Sequence, residues 1–218
     1  MDSMLKPPIA LAPATNGAFL ESDCRMLIIP DRWVVTEAQF TELAHLNRDL
    51  RLERTTAGEL IIMPPTGGET GRKNLRLGAQ VVIWNNRYQL GEAFDSSTGF
   101  RLPTGAIRSP DLSWVQADRW AALMEEQRAG FLPLCPDWAI ELRSRSDRRE
   151  TLEAKMQEYL AAGLQLGWLI DPQQAQVGVY RPDLAPEWLD RPATLSGEPV
   201  LPGFDLDLQG FWPVIPTP

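Results

Sequence analysis

Pro136-Asp137-Trp138-Ala139-Ile140-Glu141-Leu142-Arg143 opens the stretch that decides the fold. Trp138–Leu142 reads as a strand between a proline and the polar run 144–147. A strand alternates faces, so Trp138, Ile140 and Leu142 share one side and Ala139, Glu141 and Arg143 the other. A helix is predicted over Arg148–Ala162, with Asp147 as N-cap, Glu150 as its capping-box partner and Gly163 as the left-handed stop. Leu166–Ile170 follows as another strand. On the helix, Leu152, Met156, Tyr159 and Leu160 form the buried stripe. At about 100° per residue, Lys155 lies about 60° from Leu152 and about 40° from Tyr159, so it flanks that stripe and can reach toward Glu141.

The rest of the chain adds helices and short strands. Thr36 caps a helix over Ala38–Asp49, with Gln39 as its capping-box partner. Leu50–Thr55 and Glu59–Met63 form a hairpin about Thr56-Ala57-Gly58. Beyond the breaker Pro64–Gly68, a long helix is predicted over Glu69–Tyr88, from the repeat of Leu75, Ala79, Val82 and Ile83. Strands are expected at Glu92–Asp95, Gly99–Leu102, Leu112–Val115 and Val177–Tyr180, and after Leu201-Pro202-Gly203-Phe204. A helix is expected over Ala117–Gln127. The order predicts a mixed α/β (α+β) domain over 31–218, a central sheet flanked by helices, after a tail at 1–30 with one short strand at Met26–Ile29.

Composition narrows the chemistry. With 218 residues, 44% hydrophobic and 23% charged, one large core is expected. A net charge of -8 argues against a broad basic surface and leaves room for a local basic groove. The single histidine, His45, removes a Ser-His-Asp triad and makes a zinc centre a poor fit. Cys24 and Cys135 show no paired spacing and read as free thiols in a reducing compartment, so the cytoplasm is expected. No apolar run approaches the roughly 18 residues that a membrane span needs.

Asp111 stands in Ser109-Pro110-Asp111-Leu112-Ser113-Trp114-Val115 and shares a face with Ser113, opposite Leu112 and Trp114. If its strand neighbours Trp138–Leu142, Asp111 and Glu141 converge, with Lys155 beside them. Two carboxylates suit Mg²⁺, which takes hard oxygens and keeps several waters. A lysine there adds positive charge beside a phosphate. The plainer alternative stays open: Asp111 starts a strand, Glu141 pairs with Arg143, Arg145 or Arg148, and Lys155 snorkels at the helix border.

The segments 109–115, 136–147, Lys155–Leu160 and Gly167–Pro172 together resemble the Uma-two family of endonucleases. That family lies in the PD-(D/E)XK nuclease superfamily, whose fold is restriction-endonuclease-like. Segments 64–71, 96–103 and 201–204 fit as well, so the likeness runs from about residue 30 onward. The resemblance implies a metal-dependent DNA endonuclease using Mg²⁺, with Mn²⁺ as substitute. Asp111 and Glu141 would be its metal ligands and Lys155 a lysine displaced onto the helix, because Arg143 occupies the usual lysine position. Glu69 would be an additional acid, or only a first-turn acid favoured by the helix dipole. Arg143 and Arg145 would bind DNA phosphates, and cleavage of a duplex suggests a homodimer. The alternative is a catalytically inactive nucleic-acid-binding or scaffold module that keeps the fold.

Overall fold

The computed structural model describes residues 33–213. The chain divides into two units, 1–31 and 32–218, and the described residues all lie in the second. The expected tail, its strand at Met26–Ile29 and Cys24 fall outside the described residues.

Helix α1 (Glu37–Leu46) begins at Thr36, whose hydroxyl accepts the Gln39 N–H while the Gln39 side chain accepts the Thr36 N–H. Strands β1 (Arg51–Arg54) and β2 (Leu60–Met63) form the hairpin. Helix α2 (Gly68–Tyr88) follows, then β3 (Gly91–Asp95), β4 (Phe100–Arg101), β5 (Ile107–Arg108) and β6 (Leu112–Gln116). The helix expected over 117–127 is two short ones, α3 (Ala117–Ala121) and α4 (Glu125–Ala129). Strand β7 (Trp138–Leu142), helix α5 (Arg149–Ala161) and strand β8 (Leu166–Asp171) lie where the sequence places them. Then come β9 (Gln176–Tyr180), β10 (Glu187–Asp190), β11 (Thr194–Ser196) and β12 (Asp205–Asp207).

The central sheet has the order β10-β9-β8-β7-β6-β3. Only β7 and β8 pair in parallel, joined through α5, and the other neighbours are antiparallel. A smaller sheet, β2-β1-β5-β4, packs on α1 through Phe40, Leu52 and Ile107. One face of the central sheet carries Trp114, Trp138, Ile140, Leu142 and Trp168, covered by Leu77, Val81 and Trp84 of α2 and by C-terminal residues such as Phe204. The other face carries Val115, Ala139 and Leu169 beneath Met156 and Tyr159 of α5. The alternation read from Trp138–Leu142 is therefore the alternation of the fold. Glu141 faces α5, not α2. Gly167 lets α5 come close, since a Cβ there would collide with Met156.

Two local readings are corrected. The repeat Leu75, Ala79, Val82, Ile83 is the exposed flank of α2, whereas Leu77, Val81 and Trp84 are buried. Apolar spacing finds a helix but does not say which stripe meets the sheet. Asp147 is not the N-cap of α5. Its carboxylate accepts the Ser144 N–H at 2.7 Å, and Arg148 occupies the cap without a side-chain bond. Gly163, at φ +107, is the left-handed stop. Among the described residues no helix is long and apolar enough to cross a membrane.

Candidate active site

Strands β6 and β7 pair with Leu112 opposite Ile140 and Ser113 opposite Ala139. One step further, that antiparallel register sets Asp111 beside Glu141. The Leu142 N–H donates to Asp111 Oδ2 at 2.9 Å, and the Asn74 amide of α2 donates to Asp111 Oδ1 at 3.3 Å. The register thus sets Asp111 opposite Glu141 at the end of β6 and β7, with Asp111 held by Asn74 of α2 and Glu141 by residues of α5.

Lys155 reaches this face from the second turn of α5. Its Nζ lies 2.8 Å from Glu141 Oε1 and 2.9 Å from Glu53 Oε1. Glu141 pairs with the lysine, not with Arg143, Arg145 or Arg148, so the plainer alternative fails for that residue. The Tyr159 hydroxyl donates to the same Glu141 oxygen at 2.9 Å. Glu53, on β1, also accepts the Ser109 N–H at 2.9 Å and Arg108 Nη1 at 3.1 Å. Arg108 continues to Glu158 of α5 at 2.5 Å. Acids and bases alternate from Glu141 through Lys155, Glu53 and Arg108 to Glu158. This chain of charge ties the small sheet to the central one across α5.

Burial separates the two acids that share Lys155. At Glu141, burial pushes the carboxyl up to about 7, against the Lys155 ammonium and with help from the Asp111 and Glu53 charges. At Glu53, burial also pushes upward, but Lys155 and Arg108 outweigh it and hold the carboxyl below its usual 4.5. Glu53 has two cations and a backbone N–H, whereas Glu141 has a shared ammonium and an acidic neighbour. Burial works against the Lys155 charge, yet Glu141 and Glu53 more than offset it and raise its pKa. Lys155 is therefore held in its cationic form between the two carboxylates. Asp111 is also raised, by burial first, with the Leu142 N–H, Lys155, Arg51 and Asn74 opposing.

The donor chemistry fits a divalent cation. Among the described residues no group of three or more His, Cys, Asp or Glu side chains is gathered to hold a metal. Mg²⁺ needs only one or two carboxylates besides waters and substrate oxygens. Asp111 and Glu141 would be the two carboxylates, and burial raises the pKa of both against the opposing Lys155 charge. The Asn74 amide faces Asp111 with its nitrogen, and its buried Oδ1 has no hydrogen-bond partner.

Glu69, Arg143 and Arg145 do not join the buried charges. Glu69 sits in the first turn of α2, its side chain 74% exposed, paired with Arg72 at 3.0 Å. It stands at the positive end of the helix dipole, where an acid is favoured. Arg143 points to Asp171 Oδ2 at 2.8 Å and to the Asp147 carbonyl. Asp171 is fully buried, so this pair pins the end of β7 to the turn after β8. Arg143→Ala is expected to cost about 2–4 kcal/mol in urea unfolding, since a buried carboxylate loses its cation. Arg145→Ala, on an exposed side chain, should stay within about 0.5 kcal/mol. Equal losses in the two variants would show that the Asp171 pair is not structural.

Sequence reasoning missed Glu53. The one available signal was an acid inside a strand whose neighbour Leu52 is apolar; nothing local said that the strand's charged face would turn inward.

The profile of the Uma2 family, described as "Putative restriction endonuclease", matches residues 37–209. No curated protein matches the chain. A crystal structure described as a "putative nuclease belonging to DUF820" from Anabaena variabilis ATCC 29413 is similar at a TM-score of 0.69 and 22% identity. The match covers 80% of this chain and 96% of that one, and it shows the fold. With the family profile spanning most of the domain, over the same strands that carry Asp111 and Glu141, the chain belongs to the Uma2 family of restriction-endonuclease-like proteins.

Proposed function

We propose that the protein is a metal-dependent endonuclease that hydrolyses phosphodiester bonds in DNA. The observation that supports this reading is the register that sets Asp111 opposite Glu141 on adjacent strands, with the Lys155 ammonium 2.8 Å from Glu141. Asp111 and Glu141 would hold Mg²⁺, with Mn²⁺ as substitute. When bound, such an ion neutralises phosphate charge and lowers the pKa of its water. Lys155, fixed between two carboxylates, presents a permanent positive charge to the phosphoryl oxygens as negative charge builds on them. Glu53 acts through Lys155 as a positioning residue, since its other contacts are all to Arg108 and Ser109. Tyr159 keeps the Glu141 carboxylate from rotating. Arg145, exposed at the exit of β7, is available to a neighbouring phosphate; Arg143 supports that loop through Asp171. We carry the cytoplasm and a homodimer as parts of the same reading. A buried, unpaired Cys135 agrees with a reducing compartment, and sedimentation would settle the assembly state.

Plasmid DNA incubated with Mg²⁺ or Mn²⁺ tests the proposal. Asp111→Ala should lower the cleavage rate by about 10³-fold or more, the equivalent of several kcal/mol of transition-state stabilisation. Cleavage that persists unchanged in that variant sinks the assignment. A second reading, an inactive binding module, draws on one feature: Glu141 Oε1 is already taken by Lys155 and Tyr159. It prevails if the wild type neither cleaves nor gains thermal stability from Mg²⁺.

A further inference from the structure

Leaving aside Arg101 Nε, which faces Glu37, five buried side-chain polar atoms among the described residues have no hydrogen-bond partner. Three of them, Arg51 Nε, Asn74 Oδ1 and Ser113 Oγ, belong to residues that line one cavity of about 850 Å³, and Asp111 lines it too. Each buried polar group left unpaired costs about 1–3 kcal/mol, so folds rarely keep them without use. Their concentration around a single carboxylate marks the polar end of this cavity as built for a polar ligand.

Arg51 decides the ligand's charge. It lies two residues before Glu53 on β1, hence on the same face of that strand. Glu53 is fully engaged by Lys155, Arg108 and Ser109, whereas Arg51 forms no ion pair among the described residues. A guanidinium beside the catalytic carboxylates, without an acidic partner, matches an anionic, multi-oxygen group that it can grip through two N–H donors.

Arg51 also stands at a junction. A second cavity, of about 860 Å³, shares Arg51, Ser96 and Thr98 with the first. It adds Arg48, Arg101 and Arg128. On a chain of net charge -8, four arginines against two acids, Asp49 and Glu126, give this lining a local excess of positive charge. Arg101 is paired with Glu37 and Arg128 lies over Trp120, which leaves Arg51 and Arg48 as the less committed cations.

We propose that this groove is the track of a nucleic-acid strand, and that Arg51 grips a backbone phosphodiester at the junction, beside the bond held at Asp111. The proposal rests on reading Asp111, Glu141 and Lys155 as a nuclease site, and it names the phosphate-binding residue that the sequence assigned elsewhere, to Arg143 and Arg145. Spacing along the backbone then carries the strand from the Asp111 cavity past Ser96 and Thr98 toward Arg48.

Fluorescence anisotropy of short labelled duplex DNA, single-stranded DNA and RNA in EDTA tests this without cleavage. Arg51→Gln should weaken binding about 10-fold or more and flatten the log affinity–log salt slope by about one charge. Arg51→Lys should restore the slope and only part of the affinity. Arg87→Gln, an exposed arginine at the far end of α2, should match the wild type. If the wild type binds a strand and Arg51→Gln binds it equally with the same slope, the role of Arg51 is overturned while the nuclease reading stands. If the wild type binds none of the three, the strand track is overturned. Thermal stabilisation by Mg²⁺ keeps the readings apart: retained in Arg51→Gln and lost in Asp111→Ala, it upholds the metal site whatever happens to Arg51.

Discussion

Lys155→Met will cost the fold about 3–5 kcal/mol at pH 8 and remove cleavage altogether. The substitution keeps the bulk of the side chain and deletes only the ammonium. Lys155 is 9% exposed, and its Nζ is shared by Glu141 and Glu53, which are 4% and 2% exposed. Without it, two buried carboxylates face each other with no cation between them. Glu53 retains Arg108 and the Ser109 N–H; Glu141 retains only the Tyr159 hydroxyl and becomes the more frustrated partner. Adding Glu141→Gln to Lys155→Met should therefore recover a large part of the lost stability and none of the activity. Urea unfolding of the single and double variants measures both statements. A single variant within about 0.5 kcal/mol of the wild type would mean that the charge cluster is not what joins α5 to the two sheets.

The second large effect is a loss of stability as the pH rises toward neutrality in the absence of divalent ions. Glu141 has a carboxyl pKa of about 7 in the folded chain against 4.5 when exposed. Its proton is held more tightly by the folded state than by the unfolded one. The stability it contributes is thus fully present below about pH 4.5 and is lost as the pH rises through about 7. A difference of that size is worth about 3 kcal/mol. Asp111, also raised, acts in the same direction. Glu53 acts the opposite way: its depressed pKa gives stability above 4.5 that disappears as the pH falls below it. Lys155, raised above 10.5, loses its contribution only in more alkaline solution. The apo protein should therefore be most stable in mildly acidic solution and weaken between pH 5 and 8. Glu141→Gln should flatten this slope, and Mg²⁺ should oppose it in the wild type by binding the ionised acids. A melting temperature that climbs from pH 5 to 8 in EDTA would contradict the charge state assigned to Glu141.

The residues legible before the fold was known share one property: short-range geometry fixes them. Alternation along Trp138–Leu142 turns Glu141 to one side, and helical spacing sets Lys155 at the edge of the α5 stripe. Thr36 and Gln39 write their own capping box, and Gly163 its own stop. Asp111 needed one further fact, that β6 and β7 are neighbours, and the pairing of Leu112 with Ile140 supplies it.

What the sequence by itself determined is the mixed α/β class, the helix and strands that carry Glu141 and Lys155, and membership of a nuclease-like family. The tertiary structure alone decided which charges meet. Glu53 comes to Lys155 across 102 residues of chain, Asn74 to Asp111 across 37 and Asp171 to Arg143 across 28. It also decided that α2 buries Leu77 and Val81 and leaves Leu75 outside. The physical reason is the same in each case. Periodicity within one element orients side chains relative to that element only. The partner of a charge, and the burial that sets its protonation, depend on which elements pack together, and short-range sequence carries no record of that choice.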